Sequence, residues 1–241
     1  MLSASGEAVG QFWTHAPIGK RELFENLWFR TSLRQRLHFS ITSSGQKCQL
    51  RKAERSEELC LEDLTERHVY CCQTGMSRFR PHRSVLVTLA AALRDLGAHI
   101  DMERYCADLI SQHPNGDSKE AWLDVCAHFP GHMQMWKLDV TLRSSWAFKK
   151  KAQATPGVAA SAGVAAKSAR YGEAVTAISM EPLGRIAQTS REALWAMAQQ
   201  ARDKRLTDMA PSQGYRKLRL CLERALLWSM AERLIAATGR T

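Results

Sequence analysis

The chain has 241 residues, 45% hydrophobic and 24% charged. That is enough for one ordinary core plus a small appendage, and it excludes disordered and fibrous classes. The net charge of +10 is uneven: residues 1–141 hold 17 Lys/Arg against 17 Asp/Glu, and residues 142–241 hold 17 against 7. No stretch approaches the roughly 20 apolar residues of a spanning helix, so no membrane span is expected.

In chain order, residues 1–20 read as a loose leader. The N-terminal MLSASGEAVGQFW lacks a basic region followed by an apolar stretch, so a signal peptide is not expected and the chain reads as intracellular. Residues 21–38 predict a helix, because Leu23, Phe24, Leu27, Trp28, Leu33 and Leu37 recur at three- and four-residue steps. Ser43-Ser44-Gly45 breaks the chain. Residues 46–80 hold four of the seven cysteines and little apolar periodicity, so this segment needs a source of stability other than its own core. Residues 84–96 predict a helix capped by Ser84 and stopped by Gly97.

Beyond Gly97 the pattern changes. Residues 99–103 read as a short strand and 113–117 as a turn. Residues 122–129 and 134–142 are β-rich runs about the reversal Pro130-Gly131-His132, which predicts a hairpin. The Ala/Gly-rich residues 152–166 fit a flexible insert or a helix start. Residues 186–205 and 215–237 predict two closing helices, split by residues 209–214. The fold class expected is α+β: a helical linker region (1–45), a small Cys/His knuckle (46–82), an α/β core with a β-hairpin and flanking helices (83–185), and C-terminal basic helices (186–241).

Seven cysteines without an export signal point to metal ligation or burial rather than to a disulfide scaffold. Cys48, Cys60, His68 and Cys72 offer thiolates and an imidazole, the donor set that suits tetrahedral zinc. His68 and Cys72 can ligate from one helical turn, and Cys71 competes with Cys72. Cys106, Cys126 and Cys221 sit in apolar contexts and read as core. On the hairpin, Asp124 and Asp139 can converge on one face, where a hard cation such as magnesium relieves their repulsion and activates water. Glu103 can add a third oxygen, and a nearby lysine would complete the set. Along residues 134–142, Met135, Lys137, Asp139 and Thr141 share one face, expected in the cleft. Trp136, Leu138, Val140 and Leu142 share the other, expected in the core.

The order of these pieces resembles the C-terminal region of non-LTR (LINE-type) retrotransposon polyproteins that carry a restriction-like endonuclease, above all those of protist, especially dinoflagellate, genomes. The residues that carry the likeness are Phe24 to Arg30 with Leu33 to Leu37, the Cys48, Cys60, His68, Cys72 knuckle, Arg80-Pro81-His82, and Leu93 to Glu103. They continue through Glu120 to Val125, Leu138 to Arg143, Lys167 to Gly172, Glu181 to Arg185 and Leu226 to Trp228.

The resemblance implies a PD-(D/E)XK-type nuclease. Asp124 and Asp139 would be the catalytic carboxylates holding magnesium or manganese, Glu103 a further acid, and zinc would sit in the knuckle. Thr141 stands two residues after the second acid, where such enzymes usually have lysine. Lys167 matches the family's downstream Lys-x-x-x-Tyr, and Lys149, Lys150 and Lys151 are nearer in sequence. Arg143, Lys149, Lys150, Lys151 and Arg170 would contact nucleic acid. The implied partners are DNA, element RNA and the reverse transcriptase portion of the parent polyprotein, and the implied location is the nucleus. A catalytically inactive nucleic-acid-binding remnant, or a helical interaction protein with incidental Cys and Asp, would share many of these features. The basic final hundred residues favour a polyanion partner, nucleic acid first.

Overall fold

The computed structural model describes residues 26–36, 45–52, 57–74, 79–112, 118–148 and 155–239. Helices α1 (Asn26–Arg36), α2 (Glu66–Cys71) and α3 (Phe79–Asp95) precede strands β1 (His99–Gln112), β2 (Ser118–His128) and β3 (Trp136–Leu142). Helix α4 (Val158–Tyr171) then leads to β4 (Thr176–Met180), and α5 (Gln188–Asp203) and α6 (Pro211–Thr238) close the chain. The architecture is α+β, with one four-stranded sheet in the order β1-β2-β3-β4. The first three strands form an antiparallel meander, and β4 lies parallel to β3. Among the described residues, no helix is long and apolar enough to cross a membrane.

The main core lies between the sheet and α3, α5 and α6. Leu86, Leu89 and Leu93 of α3 meet Leu138 and Val140 of β3, Ile178 of β4, Leu194 of α5 and Leu222 of α6. These apolar residues recur along each helix at three and four, so one stripe of each is buried. Helix α3 begins earlier than the sequence suggests. Pro81 is tolerated in its first turn, and Ser84 lies inside it rather than capping it. Gly97 ends it as expected. It takes a left-handed φ of 89°, and the Ala98 N–H donates back to the Leu93 carbonyl at 3.1 Å. The boundary expected between residues 82 and 83 falls within this helix, and α5 and α6 belong to the same core as the sheet.

Two elements differ from the sequence reading. Strand β1 runs to Gln112, past a register shift between Cys106 and Ile110, where the polar residues Arg104 and Asp108 hide the strand. Strand β4 is five residues, TAISM, with four of them buried, too short and too uniformly covered to alternate. Its outer edge is closed by Ser190 of α5. That hydroxyl donates to the Ala177 carbonyl at 2.7 Å and accepts from the Ser179 N–H at 3.0 Å. The expected turn at 113–117, residues 21–25 of the first helix, and residues 149–154 lie outside the described residues.

The Ala/Gly-rich segment is a packed helix. Ala159, Ala160 and Gly163 of α4 are buried, and a Cβ on Gly163 would sit 2.2 Å from Ser179 Oγ and 2.9 Å from Thr141 Cγ2. The small residues therefore let α4 lie close on the outer face of β3 and β4. Lys167, one turn beyond Gly163, falls over the same strands. Gly163→Ala is expected to destabilise the chain by about 1–3 kcal/mol, the usual cost of overpacking. A urea transition with an unchanged midpoint would show that α4 can lift without cost.

Candidate functional site

Residues 46–52 pair with residues 58–64 in a narrow antiparallel ribbon. The Cys48 N–H donates to the Glu62 carbonyl at 2.9 Å, and the Cys60 N–H donates to the Leu50 carbonyl at 2.8 Å. The ribbon brings Cys48 and Cys60 side by side across 12 positions of sequence. Helix α2 follows, capped by Thr65, whose hydroxyl accepts from the His68 N–H at 3.1 Å. His68 and Cys72 stand four apart, on one face of that turn. The four donor atoms of Cys48, Cys60, His68 and Cys72 all lie within 4.8 Å of one another. Cys60 Sγ is 3.5 Å from His68 Nε2 and 3.9 Å from Cys72 Sγ, spacings that suit a tetrahedral ion.

This Cys3His cluster can hold a metal such as zinc, and the structure chooses between the adjacent cysteines. Cys72 turns into the cluster, whereas Cys71 turns out to Ser144, 3.8 Å away. Cys48 and Cys72 are buried, while Cys60 and His68 are half-exposed and give an ion a way in. A hydrogen bond from Cys48 draws the Cys72 thiol down to about 4 against the opposing effect of burial. The same bond, with burial, pushes Cys48 up. One proton is thus held between two sulfurs, and thiolate is the form that ligates metal. The ribbon has little core of its own, as its composition suggests: Cys48, Leu50, Leu64 and Val69 pack on Leu234 and Ala237 of α6.

The second constellation is on the sheet. The β2–β3 register pairs Val125 with Leu138 and Cys126 with Lys137, which sets Asp124 opposite Asp139. The ladder stops there, because the Asp124 carboxylate accepts the Val140 N–H at 2.6 Å in place of a backbone carbonyl. His82, in the first turns of α3, adds its Nε2 at 3.2 Å from Asp124 Oδ2 and 3.1 Å from the Val140 carbonyl. Its role was not readable from sequence, because nothing local marks a histidine in an amphipathic helix as facing an aspartate. The hydrogen bond to Asp124 holds the His82 ring above its ordinary range, against desolvation. On Asp124, burial acts upward, but His82 and the Val140 N–H together hold the carboxyl below its usual range.

Asp139 is buried beneath α4, and Lys167 Nζ lies 2.7 Å from its carboxylate. Burial pushes Asp139 up to about 6; Lys167 opposes this and Asp124 adds to it. The expectation of a polar cleft face on β3 is thereby refined. Asp139 and Thr141 do share a face, but α4 covers it. Because the folded chain holds the Asp139 proton more tightly than the unfolded chain, Asp139 favours folding below about pH 4 and loses that contribution as pH rises through about 6. Asp139→Asn should therefore flatten the fall in stability between these values, read as urea midpoints of the two proteins across the window. An identical slope would place the Asp139 proton elsewhere.

Glu103 does not join the aspartates. It takes a left-handed φ of 53° where the register is unbroken, with Met102 opposite Val125 and Arg104 opposite Leu123. Its exposed carboxylate pairs with Arg83 instead. Among the described residues, the Cys/His set is the group of three or more metal-binding side chains close enough to share one ion. Of the expected nucleic-acid contacts, Arg143 is exposed just past β3, and Arg170 lies over the Tyr171 ring at 4.8 Å. Lys149, Lys150 and Lys151 lie outside the described residues. Cys106 and Cys126 are buried as expected, and Cys221 is half-buried.

These features define an α+β protein with a Cys3His cluster that can hold a metal ion and a part-buried Asp-Lys pair on its sheet. No protein family matches the chain, and no curated protein matches it.

Proposed function

We infer that the chain is a metal-dependent DNA endonuclease module of a retroelement, which nicks target DNA so that reverse transcription can start at the break. The observation that carries this reading is the meeting of Lys167 with Asp139, across the hairpin from Asp124, with 28 positions of sequence closed by one packed helix. Two carboxylates and a lysine converging from separate elements are the set that phosphodiester hydrolysis requires. The meander followed by a crossover helix and a parallel strand supports a restriction-like core.

Asp124 and Asp139 would hold a magnesium or manganese ion, which commonly takes one or two carboxylates and keeps its remaining waters. Bound there, it would supply the positive charge that polarises a phosphate and acidifies a water. The Val140 N–H and His82 fix the orientation of Asp124. Lys167 exchanges its bond to Asp139 for the phosphate and stabilises the charge that builds there. Zinc in the Cys3His cluster holds the knuckle against the core. Arg143 and Arg170, with Lys149, Lys150 and Lys151, bind the DNA backbone in a salt-sensitive way. Element RNA and the reverse transcriptase portion of the parent polyprotein are the further partners, and the nucleus is the place of action.

A second reading is a nucleic-acid-binding remnant without catalysis. It is favoured by one observation: both carboxylates are already engaged, Asp139 by Lys167 and Asp124 by His82. Conversion of supercoiled plasmid to open circles in magnesium or manganese separates the two readings, since only the first produces nicks.

A further inference from the structure

A cleft of about 440 Å³ lies between the knuckle and the end of β3. Two cationic side chains, Lys167 of α4 and Arg233 of α6, line it together with the His82 imidazole of α3. Among the described residues, no acidic side chain does. Asp124 and Asp139 stand behind His82 and Lys167, each on the far side of its own ion pair.

Arg233 is the unusual member. It is 7% exposed, and arginine is seldom buried to that degree without a partner for its charge. One of its terminal nitrogens donates to the Cys72 carbonyl, and the guanidinium also hydrogen-bonds the Cys72 side chain, with the sulfurs of Cys72, Cys48 and Cys71 offsetting its charge. Its Nε is buried with no hydrogen-bond partner among the described residues. The Ser144 and Thr141 side chains add hydroxyls to the same cleft. Tyr70, Phe79, Leu142, Leu226 and Met230 make the rest of the wall apolar and aromatic. Phosphate suits the cations and hydroxyls, and a sugar and base suit the apolar wall.

We propose that this cleft binds one nucleotide of a nucleic-acid strand, its phosphate held by Arg233 and Lys167. The proposal rests on the nuclease reading and deepens it. The knuckle becomes one wall of the substrate cleft, and a residue of the last helix becomes part of strand recognition.

The test uses the full zinc-loaded chain without magnesium, so that binding is read apart from cleavage. On adding deoxyadenosine monophosphate, backbone amide shifts should gather at Tyr70, Ser144, Lys167 and Met230. Shifts gathered elsewhere would overturn the proposal, whatever any variant does. A labelled oligodeoxynucleotide should bind more tightly than the mononucleotide, and inorganic phosphate should displace it far less well than the mononucleotide does. Equal displacement by inorganic phosphate would reject a nucleotide site.

Arg233→Gln should weaken oligonucleotide binding about tenfold or more, the scale of one lost charge-assisted contact, with one zinc retained. Arg233→Lys should restore most of the affinity. Wild-type binding by zinc-loaded Arg233→Gln would contradict the proposal. Loss of zinc from that variant would assign Arg233 to the metal site instead. A chain that fills the cleft but never nicks would reject the nuclease reading and keep the cleft.

Discussion

Cys72→Ser is expected to leave the purified chain without zinc, where the wild type carries one ion, and to unfold residues 45–74. Cys48→Ser, Cys60→Ser and His68→Ala should do the same, and Cys71→Ser should keep its metal. The contrast between the neighbouring cysteines is the sharp part. Cys72 Sγ stands 3.9 Å from Cys60 Sγ, while Cys71 Sγ faces Ser144. The effect should be large, because structural zinc contributes about 10–16 kcal/mol of apparent binding energy in small finger peptides, and in such segments that energy is folding energy. Here the segment's apolar side chains pack on Leu234 and Ala237 of α6, so its loss exposes them. The damage should also spread to the end of α6. The Gln49 N–H donates to the Ala237 carbonyl at 2.9 Å, and Gln46 Nε2 donates to the Thr238 carbonyl at 3.0 Å. Metal content by atomic emission, with limited proteolysis of the same samples, measures both. Zinc retained by Cys72→Ser and lost by Cys71→Ser would reverse the assignment.

Lys167→Ala should slow nicking about 10²-fold or more, the usual consequence of removing one group that stabilises transition-state charge. Lys167 is held for that work by the close fit of Gly163 on β3 and β4, which leaves the ammonium little freedom. The fall should appear in the rate at saturating DNA, on top of the affinity lost with the Lys167 contact to the bound phosphate. Asp124→Asn should abolish nicking and leave DNA binding largely intact. Wild-type rates from Lys167→Ala, with loss on changing Lys149, Lys150 or Lys151, would move the role to that cluster.

The knuckle was legible because its chemistry is local. A His-x3-Cys step on one helical turn and two more cysteines in a segment without a core leave few alternatives, and only the choice between Cys71 and Cys72 depends on the fold. The hairpin was legible from its reversal and its apolar runs. Lys167 came from resemblance; no property of residues 152–166 distinguished a mobile insert from a helix of small residues, because close packing against β3 and β4 is a fact of tertiary structure. Strand β4 was missed since five residues covered on both faces carry no alternation. The pairing of Glu103 with Arg83 was not legible, because a left-handed residue within a strand redirects its side chain and sequence spacing cannot show that. His82 and Arg233 were missed for a common reason. Each is one polar residue on a helix, and its meaning depends on what the fold sets opposite.

The most direct measurement is relaxation of supercoiled plasmid by the zinc-loaded chain, with and without magnesium or manganese, beside Asp139→Asn prepared identically. Open circles are expected from the wild type only when the divalent ion is added, and none from Asp139→Asn. Wild-type protein that binds DNA but leaves it intact under every metal, or Asp139→Asn that nicks as fast as wild type, would contradict it.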